Sequence, residues 1–143
     1  MVRKARLELL SRFENIELAD QALLELGRAA GVDSESLYWA GMALREALAN
    51  AIKHGNKLNP DKRVFVEMQL GEHGELRIEI QDEGEGFDAE HLRDPTSPEN
   101  LMRSSGRGVF YMQHFMDGVD FSSGEQGGTR ISLTKQLSGG QAI

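Results

Sequence analysis

Four short polar, glycine-rich segments lie in order along 143 residues and constrain this chain more than any other feature. They are Glu46-x-x-x-Asn50-Ala51-x-Lys53-His54-Gly55, Asp82-x-Gly84-x-Gly86-Phe87, Ser105-Gly106-Arg107-Gly108 and Gly127-Gly128-Thr129. Glycine ends helices and lets the backbone pass close to a ligand, so each segment marks a place where a regular element stops. Together the four offer a carboxylate, an oxygen ligand for magnesium, an acceptor for an adenine amino group, and glycine backbone where phosphates approach. Those are the needs of a nucleoside triphosphate pocket.

Composition narrows the setting. A chain of 143 residues builds one domain with a single good core, and 39% hydrophobic with 27% charged residues is a globular balance. No apolar run approaches the roughly 20 residues of a membrane helix, and Met1-Val2-Arg3-Lys4-Ala5-Arg6 leads straight into alternating sequence without a signal-peptide core. The expectation is a cytoplasmic protein. The absence of cysteine removes disulfides, zinc-thiolate sites and thiol catalysis. A net charge of −7 argues against direct nucleic-acid binding and for plain solubility, with a basic partner permitted.

The patterning predicts the elements in order. Residues 5–13 read as a short edge strand. Ile16, Ala19, Leu23, Leu26 and Ala30 keep helical spacing up to Gly31, a C-cap candidate. A second helix starts at Asp33 or Ser34, both good N-caps, and runs to about His54, where Gly55 ends it. Val64, Val66, Met68 and Leu70 alternate, Gly71-Glu72-His73-Gly74 turns the chain, and Leu76, Ile78 and Ile80 alternate again, which predicts a hairpin. Residues 88–105, with Pro95 and Pro98, predict a long irregular segment, of the length that in compact domains is usually functional or disordered. A short helix from Val109 to about Met116 and strands near 118–123 and 129–135 come next, with a frayed tail over about 137–143. Nothing in the sequence divides the chain, so residues 1–143 form one domain.

At about 100° per residue the second helix places Leu37, Ala40, Leu44, Leu48 and Ala51 in one apolar arc. Glu46, Asn50, Lys53 and His54 fall in an arc roughly opposite. A solvated polar face would look similar, but Trp39 and Met42 share that side and an asparagine in mid-helix costs propensity. The face is expected to be covered.

Asp82 follows the hairpin strand, where its carboxylate can accept a hydrogen bond from an exocyclic amine while Gly84 and Gly86 let backbone approach a flat ring. An Asp-x-Gly-x-Gly run is often only a turn. It fails as a calcium loop because Gly84, Gly86 and Phe87 stand where oxygen ligands are needed. Gly106-Arg107-Gly108 opens a helix, whose free N–H groups favour anions, yet it lacks both the Rossmann glycine spacing and the lysine of a Walker A loop. Lys53 and Arg107 are candidate phosphate contacts or ordinary surface cations.

The order and spacing of these segments resemble the GHKL ATPase superfamily, whose N, G1, G2 and G3 boxes they match. Within it, the small size and Glu46-x-x-x-Asn50-Ala51-x-x-His54 resemble the anti-sigma-factor serine/threonine kinases. The resemblance covers about residues 5 to 135. It implies an α/β (α+β) two-layer Bergerat sandwich, a mixed, mainly antiparallel sheet with helices on one face, binding ATP between helix and sheet under a lid at 88–105. It also implies Glu46 as general base, Asn50 as magnesium ligand and Asp82 as the adenine-binding aspartate, with Gly84, Gly86 and Phe87 beside it. Ser105, Gly106 and Gly108 match the phosphate-proximal segment, and Thr129 the G3 residue near adenine; Lys53 and His54 complete the first box. Arg107 departs from the apolar residue often found between those glycines.

By this resemblance the chain is expected to be an ATP- and Mg2+-dependent kinase that transfers the γ-phosphoryl group to a serine or threonine of a small antagonist protein and also binds a sigma factor. The family commonly forms homodimers. Two other readings stay open, a non-catalytic ATP-dependent binding switch and a histidine-kinase catalytic domain.

Overall fold

A computed structural model describes residues 1–84, 108–124 and 127–139, with backbone alone at 108–111. Five strands form one sheet: β1 (Arg3–Leu10), β2 (Arg63–Leu70), β3 (Glu75–Gln81), β4 (Gly118–Ser123) and β5 (Thr129–Gln136). Their order is β1-β2-β3-β5-β4, and every neighbouring pair is antiparallel. The expected mixed sheet is therefore wholly antiparallel among the described strands. The edge strand forecast at 5–13 begins and ends earlier, and Phe13–Asn15 form a short 3-10 turn instead.

The alternation read from the sequence decides which face is covered. Leu7, Val66, Ile80, Ile131 and Phe121 lie side by side in one row across all five strands. Val64, Met68, Leu70, Leu76, Ile78 and Leu133 bury the same face, each leaving contact with water almost completely. Burial on that scale is worth about 1.5–3 kcal/mol per large side chain. The other face carries Arg6 bonded to Glu67 at 2.9 Å and Arg77 paired with Glu79 at 2.9 Å. Such exposed pairs contribute little stability but keep this face wet.

Three helices cover the apolar face: α1 (Ile16–Ala30), α2 (Ser34–Asn50) and α3 (Gly108–Phe115). In α1 the predicted stripe holds, with Ala19 and Leu23 fully buried and Ile16, Leu26 and Ala30 packed at the margin. Gly31 ends it at φ +68, and the Val32 N–H closes the turn onto the Gly27 carbonyl at 3.1 Å. The Asp33 carboxylate caps α2 by accepting the Ser36 N–H at 3.0 Å. α2 is the central helix, packed against both α1 and α3. Its small residues Ala40, Gly41, Ala43 and Ala47 are buried, which is what close approach of two neighbours requires. Arg45 ties α2 to α1 through Glu17 at 3.0 Å and Asp20 at 2.8 Å.

Two chain segments differ from expectation. The second helix does not continue regularly to His54: after Asn50 it widens into a π turn at Ala51–Gly55, where the Asn56 N–H reaches back to the Ala51 carbonyl at 2.8 Å. The tail is not frayed at its start. Leu137 is buried and its N–H donates to the Gly74 carbonyl, the Asp33 N–H donates to the Ser138 carbonyl at 2.7 Å, and Gly139 bridges Val32. A buried leucine and three backbone links outweigh the flexible composition of Ser138-Gly139-Gly140. The forecast irregular segment at 88–105 lies outside the described residues.

Candidate functional site

The C-terminal end of α2 and the C-terminal end of β3 meet. At the first end stand half-buried Glu46 and, one turn later, Asn50 as the last α-helical residue. The Asn50 Oδ1 atom is buried and accepts no hydrogen bond among the described residues. An orphaned buried acceptor costs about 1–3 kcal/mol, so something ordinarily satisfies it. An amide oxygen suits a hard cation, and the described residues hold no cluster of three or more His, Asp or Glu able to bind a metal alone. Magnesium fits such a place, since it takes one or two protein oxygens and completes its octahedron with phosphates and water.

At the second end, Asp82 is only 3% exposed. Its Oδ1 accepts two backbone N–H groups, from Gly84 at 2.8 Å and Thr129 at 3.1 Å, while its own N–H donates to the Thr129 carbonyl at 3.1 Å. Burial pushes the carboxyl up from its ordinary pKa, and those two N–H groups, with Lys62 nearby, oppose the rise. Oδ2 receives no hydrogen bond from a described residue and lies directly over Gly55, where an added Cβ would overlap it. The Gly55 carbonyl in turn occupies the space of any side chain at Gly84. Gly128, at φ +74, passes its backbone against the Asp82 carbonyl from the β5 side. One carboxylate oxygen is thus locked by backbone, and the other accepts nothing from the described residues, the arrangement an exocyclic amine can use.

The π turn brings Gly55 to Asp82 and also breaks the 100° phase on which Lys53 and His54 were placed beside Asn50. Both are exposed. Partial desolvation, then the Lys53 charge, holds the His54 imidazole below its ordinary pKa. Trp39 stacks on Phe115 of α3, with ring centroids 4.8 Å apart at 22°, and remains 36% exposed, so the expected cover on this side of α2 is α3 in part. The described part of α3 begins at Gly108. Gly86, Phe87, Ser105, Gly106 and Arg107 lie outside the described residues.

Sequence reasoning missed Asn56. It is fully buried, its Nδ2 donates to Ser11 Oγ at 3.1 Å and to the Arg63 carbonyl at 3.0 Å, and its Oδ1 accepts the Glu83 N–H at 2.8 Å. The next two residues, Lys57 and Leu58, hold φ of 52 and 62, a left-handed conformation costly for residues with a Cβ. A polar residue directly after a helix-ending glycine was the available signal.

The family description "Histidine kinase-like ATPase domain" matches residues 9–135. The chain belongs to this family. An ATPase domain implies ATP binding. Among curated relatives, the "Anti-sigma F factor" of Bacillus subtilis (strain 168) is 40% identical over 102 residues, 68% of each chain. That of Heyndrickxia coagulans is 41% identical over 96 residues, 64% of each, so the chain spans about two-thirds of these relatives. Two solved structures share the fold. The RsbU and RsbW domains of Rv1364c from Mycobacterium tuberculosis superpose with a TM-score of 0.67 at 19% identity, covering 94% of this chain and 32% of that one. The SiaB-SiaC complex from Pseudomonas aeruginosa gives 0.68 at 14% identity, covering 91% and 88%. No helix among the described residues is long and apolar enough to cross a membrane.

Proposed function

We propose that this chain is an ATP-dependent serine/threonine protein kinase that acts in the cytoplasm as an anti-sigma regulatory factor and phosphorylates a small antagonist protein. The observation that carries the reading is a pair of oxygens that accept no hydrogen bond from any described residue, Asn50 Oδ1 and Asp82 Oδ2, at the meeting of one helix end with one strand end. Relatives named anti-sigma F factor support the regulatory part.

In this reading Asp82 Oδ2 accepts the adenine amino group, with Gly84, Gly86, Phe87 and Thr129 around the ring. Ser105, Gly106, Arg107 and Gly108 take the phosphates, assisted by Lys53 and His54. Asn50 would hold Mg2+, which when bound neutralises charge on the phosphates. The acceptor hydroxyl oxygen bonds to the γ-phosphorus as the bond to the β,γ-bridging oxygen breaks. ADP leaves, and the hydroxyl proton passes to the Glu46 carboxylate. Positioning and charge neutralisation supply most of the rate in such transfers.

Incubation with γ-labelled ATP, magnesium and a candidate antagonist protein tests this. Label recovered as phosphoserine or phosphothreonine is the expected result. Glu46→Gln should abolish transfer and leave ATP affinity nearly unchanged. Nucleotide-dependent binding of the partner with no transfer would replace the kinase by a binding switch, and acid-labile phosphohistidine would replace it by histidine-kinase chemistry.

A further inference from the structure

We infer that Asn56 is a positioning residue for adenine recognition: through Glu83 it holds the Asp82 carboxylate in register with the end of the π turn. This role rests on the assignment of Asp82 to adenine and extends it to a residue that touches no nucleotide.

The geometry is a clamp between two adjacent pairs. Gly55 lies against Asp82 Oδ2, and the next residue on each segment is joined by the Glu83 N–H donating to Asn56 Oδ1 at 2.8 Å. Asp82 is therefore pinned along its backbone from both sides, its own N–H to the Thr129 carbonyl of β5 and the following N–H to Asn56. Asn56 is itself fixed. Its N–H closes the π turn on the Ala51 carbonyl, and its Nδ2 donates to the Arg63 carbonyl at the start of β2 and to Ser11 Oγ after β1. Every polar group of that side chain is satisfied and it has no exposure to water, so it has one arrangement.

An apolar residue could fill the same space, but it would leave the Glu83 N–H without its partner just where β3 has ended. There is no slack to absorb a shift, because the Gly55 backbone already fills the space beside Asp82 and Gly84. A displaced turn therefore moves the free carboxylate oxygen relative to the base. Asp82 prefers a 6-amino group, a donor, over the 6-oxo group of inosine, an acceptor facing an acceptor. That preference is the quantity Asn56 protects.

The test is the ratio of ATP to inosine triphosphate affinity, measured by calorimetry on the full chain well below its melting temperature. A purely structural defect lowers the folded fraction and weakens both nucleotides equally, leaving the ratio alone. The wild type should prefer ATP by at least about tenfold. In Asn56→Ala the preference should collapse to within about threefold of unity, because a loosened carboxylate no longer discriminates. If Asn56→Ala does not fold, Ser11→Ala decides, since it removes one anchor of the Asn56 amide; the ratio should fall by about two- to threefold. A wild-type ratio in the folded variants overturns the role of Asn56. A wild type that binds ATP and inosine triphosphate equally, or neither, overturns instead the assignment of Asp82.

Discussion

Asp82 shows how a single residue trades stability for recognition. Its pKa is raised in the folded state mainly by burial, so just above the ordinary carboxylate range the folded chain holds a proton that the unfolded chain has lost. Its contribution is therefore most favourable at low pH and declines as pH rises through the folded pKa. Asp82→Asn keeps an Oδ1 to accept the Gly84 and Thr129 N–H groups and removes the buried charge. The variant should melt at or above the wild-type temperature at pH 7, with the difference shrinking toward about pH 4, while ATP affinity falls at least about 100-fold. Scanning calorimetry across that range checks the first part and titration calorimetry the second; a variant several degrees less stable at pH 7 would refute the account. Gly128 is the complementary case. At φ +74 and against the Asp82 carbonyl, Gly128→Ala should cost about 1–3 kcal/mol and weaken ATP binding, read from urea melts and titration. At this scale much was legible, since Asp82 and Asn50 were singled out by type and spacing alone. Asn56 was not, because its role depends on Ser11, Arg63 and Glu83, which come within reach only after the sheet forms.

At the scale of elements, the wide turn at Ala51–Gly55 decides where the site lies. The apolar arc of Leu37, Ala40, Leu44, Leu48 and Ala51 was readable as a helix and is buried as one. The change from i→i−4 to i→i−5 bonding was not, because no residue type announces a π turn and the bonds that hold its end, from Asn56 to Ser11, Arg63 and Glu83, run to residues distant in sequence. Removing one residue from the turn tests this. Deletion of the exposed Lys53 should return the segment toward regular helix, preserve the far-UV circular dichroism, and reduce ATP affinity by more than about 30-fold. Lys53→Ala, which removes only a charge near phosphate, should cost less than about tenfold. Equal losses in the two variants would mean that the charge, and not the wide turn, carries the effect. The strands needed no such correction beyond their ends, since alternation with period two survives any detail of the turns.

Across the whole molecule, the sheet joins parts that are distant in sequence, and its far end is closed by the C-terminal segment. Leu137, buried at 2% exposure, and the links from Ser138 and Gly139 to the turn before α2 brace the helix that carries Glu46 and Asn50. Leu137→Ala should cost about 2–4 kcal/mol in urea melts, without altering the ATP to inosine triphosphate ratio, because it loosens the fold and not the Asp82 clamp. A negligible loss would show that the segment is not anchored as described. By itself the sequence determined the element order, the alternation that sets the covered face of the sheet, the start of α2 at Asp33 or Ser34, and the singling out of Asp82 and Asn50, because these depend on local periodicity, glycine conformation and side-chain type. Only the tertiary structure decided the wide turn after Asn50, the exposure of Lys53 and His54, the anchoring of Leu137, and the placing of Asn56 between three strand ends. Those outcomes depend on contacts between residues tens of positions apart, whose energies appear only when the sheet brings them together.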